Sequence, residues 1–88
     1  MAVKLTIYGK VQGVGFRKFV YENAIKLGIK GYVKNNPDGT VEAWFEGDEH
    51  NINKIIELCR IGPSRARVEK VCIENFENKG YNDFSIIR

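Results

Sequence analysis

Eighty-eight residues with 43% apolar side chains allow one small domain with a single core, and leave little chain for a second site or a lid. No apolar run approaches a membrane span, and Lys4 and Thr6 interrupt the N-terminal stretch that a secretory signal would need, so a cytoplasmic protein is expected. A net charge of +3 favours anionic ligands but falls well short of the charge density of a dedicated nucleic-acid arm.

Val3, Leu5 and Ile7 alternate with Lys4, Thr6 and Tyr8, the period of a half-buried strand over residues 3–9. A Gly-rich turn follows, and then Phe16, Phe19, Val20, Asn23, Ala24 and Leu27 recur at helical spacing up to a stop at Gly28. Residues 31–35 and 40–46 read as two strands of a hairpin joined by Asn36-Pro37-Asp38-Gly39, each residue of which suits a tight turn. Asp48 is placed to cap a second helix over 49–61, with Ile52, Ile55, Ile56 and Cys59 on one face and Gly62-Pro63 ending it. Residues 68–76 and 83–87 are strand-like, with the polar Asn78-Lys79-Gly80 region turning between them.

This β-α-β-β-α-β order with a short terminal strand predicts one α+β domain over residues 1–88, a ferredoxin-like two-layer α/β sandwich. Its sheet would be mainly antiparallel, with both helices on one face. Cys59 and Cys72 fall within apolar patterns on a helix and a strand, away from any Cys-x-x-Cys clip, and read as buried thiols, with a disulfide between them left open. His50 has no second ligand near it in sequence, and no metal site is expected. The basic cluster Arg60, Arg65, Arg67 and Lys70 reads as solvated surface.

The segment from Gly9 to Arg17 passes from strand to helix through Gln12-Gly13-Val14-Gly15-Phe16. Successive backbone N–H groups in such a turn converge on one point, the first helical turn adds unpaired donors, and Arg17 brings a two-pronged guanidinium. A phosphoryl group is the natural guest, although Gly-rich turns also occur for purely steric reasons. The segment is neither a P-loop nor a dinucleotide loop, lacking the Gly-Lys-Ser/Thr of one and the third glycine of the other. Strand parity sends Asn35 to the same side of the sheet as the helices, towards the mouth of this turn, whereas Asn36 reads as a turn former.

Two motifs, Gly9-x-Val11-Gln12-Gly13-Val14-x-Phe16-Arg17 and Gly31-x-Val33-x-Asn35-x-x-x-Gly39-Thr40-Val41, resemble those of acylphosphatases. The resemblance extends through the Gly62-Pro63 break and the Val68-to-Ile73 strand to the Tyr81-x-x-Phe84 ending. It implies hydrolysis of the carboxyl–phosphate anhydride of an acyl phosphate, without metal or cofactor, with inorganic phosphate as a competing ligand. By the same resemblance, Arg17 and the N–H groups of residues 12–17 (Gln12, Gly13, Val14, Gly15, Phe16 and Arg17) hold the phosphoryl oxygens, and Asn35 orients the attacking water. Asn36 stands where the family commonly has threonine, and Tyr32 where it frequently has tryptophan.

The residues themselves favour a substrate with a good leaving group. Neither motif contains a histidine, cysteine or carboxylate to act as general base or acid, so the site can only position water and neutralise charge. A departing carboxylate needs no more than that.

Two other readings remain open at this level. Tyr8, Tyr32 and Trp44, with Lys4 and Lys34, project by parity from the opposite sheet face and resemble a platform for single-stranded nucleic acid, although Glu42 and Glu46 share that face. The aromatics would equally cover that face by cross-strand pairing. A non-catalytic anion-sensing module is the third reading. A monomer acting on a small molecule, with no membrane or nucleic-acid partner, is the expectation.

Overall fold

In the computed structural model, which describes all 88 residues, the elements are β1 (Ala2–Lys10), α1 (Phe16–Lys26), β2 (Lys30–Asn35), β3 (Val41–Glu46), α2 (Glu49–Ile61), β4 (Arg67–Phe76) and β5 (Phe84–Ile87). Helix α2 spans the predicted residues, and the strands shift by one residue at their ends because the ladders, not the hydrophobic pattern, fix where pairing stops.

The five strands form one sheet in the order β4-β1-β3-β2-β5. All neighbours are antiparallel except β2 and β5, which run parallel with Val33 across from Ile86 and Lys34 across from Ile87. No helix is long and apolar enough to cross a membrane.

The odd-numbered strand residues do face the helices. Val3, Leu5, Ile7, Val33, Val41, Ala43 and Phe45 are all fully buried, packed with Phe16, Val20 and Ala24 of α1 and Ile52, Ile55, Ile56 and Cys59 of α2. Each large side chain in this layer contributes about 1.5–3 kcal/mol on leaving water, which is what presses α1 and α2 onto the sheet. Asp48 caps α2 as expected, accepting from the Asn51 backbone N–H at 2.9 Å.

Cys59 sits in this layer, and burial pushes its thiol up to about 12, so it is a packing group rather than a nucleophile. Cys72 departs from expectation. Its register partner is Thr6, which places it on the sheet face away from the helices, where it is half-buried; both thiols are free.

A larger departure concerns the segment after β4. It was expected to turn locally, but β4 and β5 occupy opposite edges of the sheet, so residues 77–83 must cross its whole width. They do so over the face away from the helices. Lys79 Nζ lies 4.6 Å from the centroid of the Trp44 ring, Tyr81 packs against both Trp44 and Tyr32, and Phe76 packs against Trp44 with ring centroids 5.1 Å apart.

One carboxylate ties this strap down. Glu46 accepts from Trp44 Nε1 at 2.8 Å and from the backbone N–H groups of Lys79, Gly80 and Tyr81 at 2.6, 3.2 and 3.2 Å. Burial pushes the Glu46 pKa up, but these four donors more than offset it and hold the carboxyl below its ordinary value.

The strap decides the fate of the aromatic platform. Trp44 is only 2% exposed and Tyr32 stacks on it, with its hydroxyl donating to Glu42. No ring face of Trp44 is open to a nucleobase, so the cross-strand covering role holds and the nucleic-acid reading is not favoured.

Candidate active site

The chain between β1 and α1 is pinned from one side and open on the other. Val11, Val14 and Phe16 are 1%, 5% and 2% exposed, each buried in the core. Between them, Gly13 and Gly15 take φ values of +72° and +80°, which side chains rarely adopt, and a Cβ on either would meet no atom within 4 Å. The glycines therefore serve backbone curvature rather than close packing.

That curvature leaves donors exposed. Gly15 occupies the N-cap of α1 and offers no side-chain cap. The first backbone hydrogen bond of the helix runs from the Phe19 N–H to the Gly15 carbonyl at 3.1 Å, and none of the N–H groups from Gln12 to Lys18 donates to a protein acceptor. Together with the positive end of the α1 dipole, such unpartnered donors have the chemistry that suits an anion.

Gln12 has a role that sequence reasoning missed. Its side-chain amide reaches across to the β2–β3 hairpin and donates to the carbonyls of Asn36 and Thr40 at 2.8 and 2.9 Å. The hairpin is itself stiffened by Asp38, which accepts from the Thr40 N–H and hydroxyl, while Asn36 Nδ2 donates to Thr40 Oγ1 at 3.0 Å. The Thr40 hydroxyl and N–H hold the Asp38 carboxyl below its ordinary value. Asn36 is thus the structural residue it was expected to be.

The turn and the hairpin enclose a cavity of about 170 Å³ lined by nine residues. Arg17 and Asn35, both half-buried, line it together with Gly13, Gly15 and Phe16, so strand parity brought Asn35 to the side expected of it. Gln12 and Val14 do not line it: the Gln12 side chain is spent on the hairpin and that of Val14 on the core. Their N–H groups make no hydrogen bond within the molecule.

Lys18, Val11, Ile86 and Arg88 complete the wall. None of these four was foreseen as a site residue. Ile86 and Arg88 arrive because β5 pairs in parallel with β2, which carries its end past Asn35, and only knowing which edge β5 joins would have placed them. No aspartate, glutamate, histidine or cysteine is in the lining, and Arg17, Lys18 and Arg88 form no ion pair within the molecule.

The acylphosphatase family model matches residues 3–86. The chain belongs to the acylphosphatase family. It is 47% identical over 85 residues to the acylphosphatase of Methanocella arvoryzae, covering 97% of each chain. It is 46% identical over 83 residues to that of Thermococcus kodakarensis, covering 94% of this chain and 91% of the other. The crystal structure of acylphosphatase from Bacillus subtilis superposes with a TM-score of 0.95 at 34% identity, covering 99% of this chain and 98% of that one. An acylphosphatase structure from Coxiella burnetii gives a TM-score of 0.94 at 36% identity, covering 98% and 90% respectively. These structures share the two-helix, five-strand architecture that the sequence pattern predicts.

Proposed function

We propose that this chain hydrolyses the carboxyl–phosphate anhydride of acyl phosphates in the cavity between the Gly-rich turn and the β2–β3 hairpin. The observation that supports it most directly is the convergence of Arg17, Asn35 and a run of unpartnered backbone N–H groups on one small cavity.

In this reading the phosphoryl oxygens accept from the N–H groups of residues 12–17 and from the Arg17 guanidinium, whose fork suits two oxygens at once. These donors are in place before the substrate arrives, so they stabilise charge on the equatorial oxygens without reorganising during the reaction. Asn35 holds a water through its side-chain amide, in line with the bond to be broken. The water oxygen bonds to phosphorus, the phosphorus–acyl oxygen bond breaks, and its electron pair leaves with the carboxylate. The proton lost by the water passes to a phosphate oxygen or to solvent, because the lining offers no carboxylate, imidazole or thiol to take it.

The same lack limits the substrate. A carboxylate leaving group has a pKa of about 4 and departs unprotonated, whereas an alkoxide would need a proton or a Lewis acid. Inorganic phosphate fits the same donors and acts as a competitive ligand.

Benzoyl phosphate hydrolysis in the presence of a chelator tests this, comparing the parent chain with Arg17→Ala. Chelator-resistant turnover by the parent, lost in the folded variant, is the expected result. A folded parent that turns over no benzoyl phosphate overturns the assignment and leaves anion sensing as the reading.

A further inference from the structure

We infer that Arg88, with Lys18, determines specificity at the acyl half of the substrate, selecting acyl phosphates that carry a second anionic group such as a carboxylate or phosphate. This rests on the acyl phosphate hydrolysis proposed above.

Charge balance is the starting point. A phosphoryl group carries about −1.5 to −2 at neutral pH. Arg17 and the unpartnered N–H groups of the turn already supply a fork, a full positive charge and the positive end of the α1 dipole. Two further cations, Lys18 and Arg88, line the same cavity, and no acidic side chain lines it with them. None of the three cavity cations forms an ion pair within the molecule, so their charge is available to a ligand.

Position separates the roles. Arg17 is half-buried, whereas Lys18 and Arg88 are exposed. Arg88 follows Ile87, which pairs with Lys34, so the next step in register sets it alongside Asn35. It therefore lies on the hairpin side of the cavity, across from the turn that would hold the phosphoryl group. Lys18 is one residue further into α1 than Arg17 and reaches the rim from the helix side. Since both are exposed and line the same cavity, an acyl group attached to a phosphoryl group held there comes within reach of these two cations. A neutral acyl group gains nothing there, and an anionic one gains attraction at an exposed, salt-sensitive site.

Benzoyl phosphate and 4-carboxybenzoyl phosphate make a matched pair, differing by one carboxylate remote from the reacting bond. For the parent at low ionic strength, kcat/KM is expected to be about tenfold higher for the carboxylated substrate, mostly through KM, and the advantage shrinks as salt is raised. Arg88→Gln brings the ratio of the two kcat/KM values close to unity, and Lys18→Gln lowers it by a smaller factor. A parent that hydrolyses both substrates equally well overturns this inference and leaves the proposed function standing, as does a ratio that Arg88→Gln does not change. A folded parent that hydrolyses neither overturns both.

Discussion

The two ends of β3 treat polar groups in opposite ways. At the Glu46 end, one carboxylate collects four donors and closes a strap over Trp44, and no buried side-chain nitrogen or oxygen is left unpaired. At the Val41 end, beside the Gln12-linked hairpin, unpartnered backbone N–H groups and three cationic residues border a cavity whose lining carries no acidic side chain. Satisfied hydrogen bonds stabilise a fold, while unsatisfied but solvent-accessible ones hold back binding capacity for a ligand. The contrast separates residues whose loss unfolds the protein from those whose loss disarms it.

Arg17→Lys gives the largest expected effect on the open end. A lysine keeps the charge but loses the fork, so kcat/KM for benzoyl phosphate falls by about 10²- to 10³-fold with the melting temperature unchanged. Recovery of near-parent activity by lysine would mean that charge alone suffices. Asn35→Ala comes next: kcat falls about 10²-fold, while the inhibition constant for inorganic phosphate stays within about twofold, because the amide serves the water. If phosphate affinity collapses with kcat, Asn35 holds the anion instead.

On the closed end, Glu46→Ala leaves the Trp44 indole N–H and the strap donors without their acceptor. A loss of about 2–3 kcal/mol is expected, read as a fall in melting temperature of about 10 °C or more with kcat for benzoyl phosphate preserved. A matching fall in kcat would show that the two ends are coupled. The smallest effect is on pH response. The folded-state pKa of Glu46 lies below its ordinary value of 4.5, so its stabilisation is fully present above that value and is lost as pH falls towards the depressed one. Glu46→Gln should flatten the fall in stability below pH about 4.5, with Trp44 fluorescence, the only tryptophan signal, as the probe.

Much of this contrast was readable in the chain. The turn sequence from Gly9 to Arg17 showed a strand-to-helix turn with free donors beside an arginine, although taken alone it fitted a purely steric turn, and only its pairing with the Asn35 motif pointed to an anion site. The pleat then carried Asn35 to the helix side, since alternation fixes a face without knowledge of the partner strand. The strap was not legible. Residues 77–83 are polar and Gly-containing, which matches a tight turn as well as a crossing, and only the sheet order distinguishes the two. Glu46 looked like an exposed acid on a sheet face for the same reason, and Arg88 had no visible link to the site until β5 took its place beside β2.

The two hydrogen bonds from Gln12 to the Asn36 and Thr40 carbonyls join segments 24 and 28 residues apart in sequence. Loops ordinarily absorb insertions and deletions without harm. Here the turn and the hairpin are fastened to each other, so adding or removing a residue in either changes the spacing between Arg17 and Asn35. Length variation is therefore expected to be resisted in both loops that border the cavity. Gln12 acts as the gauge that sets how far apart the two loops bordering the cavity stand.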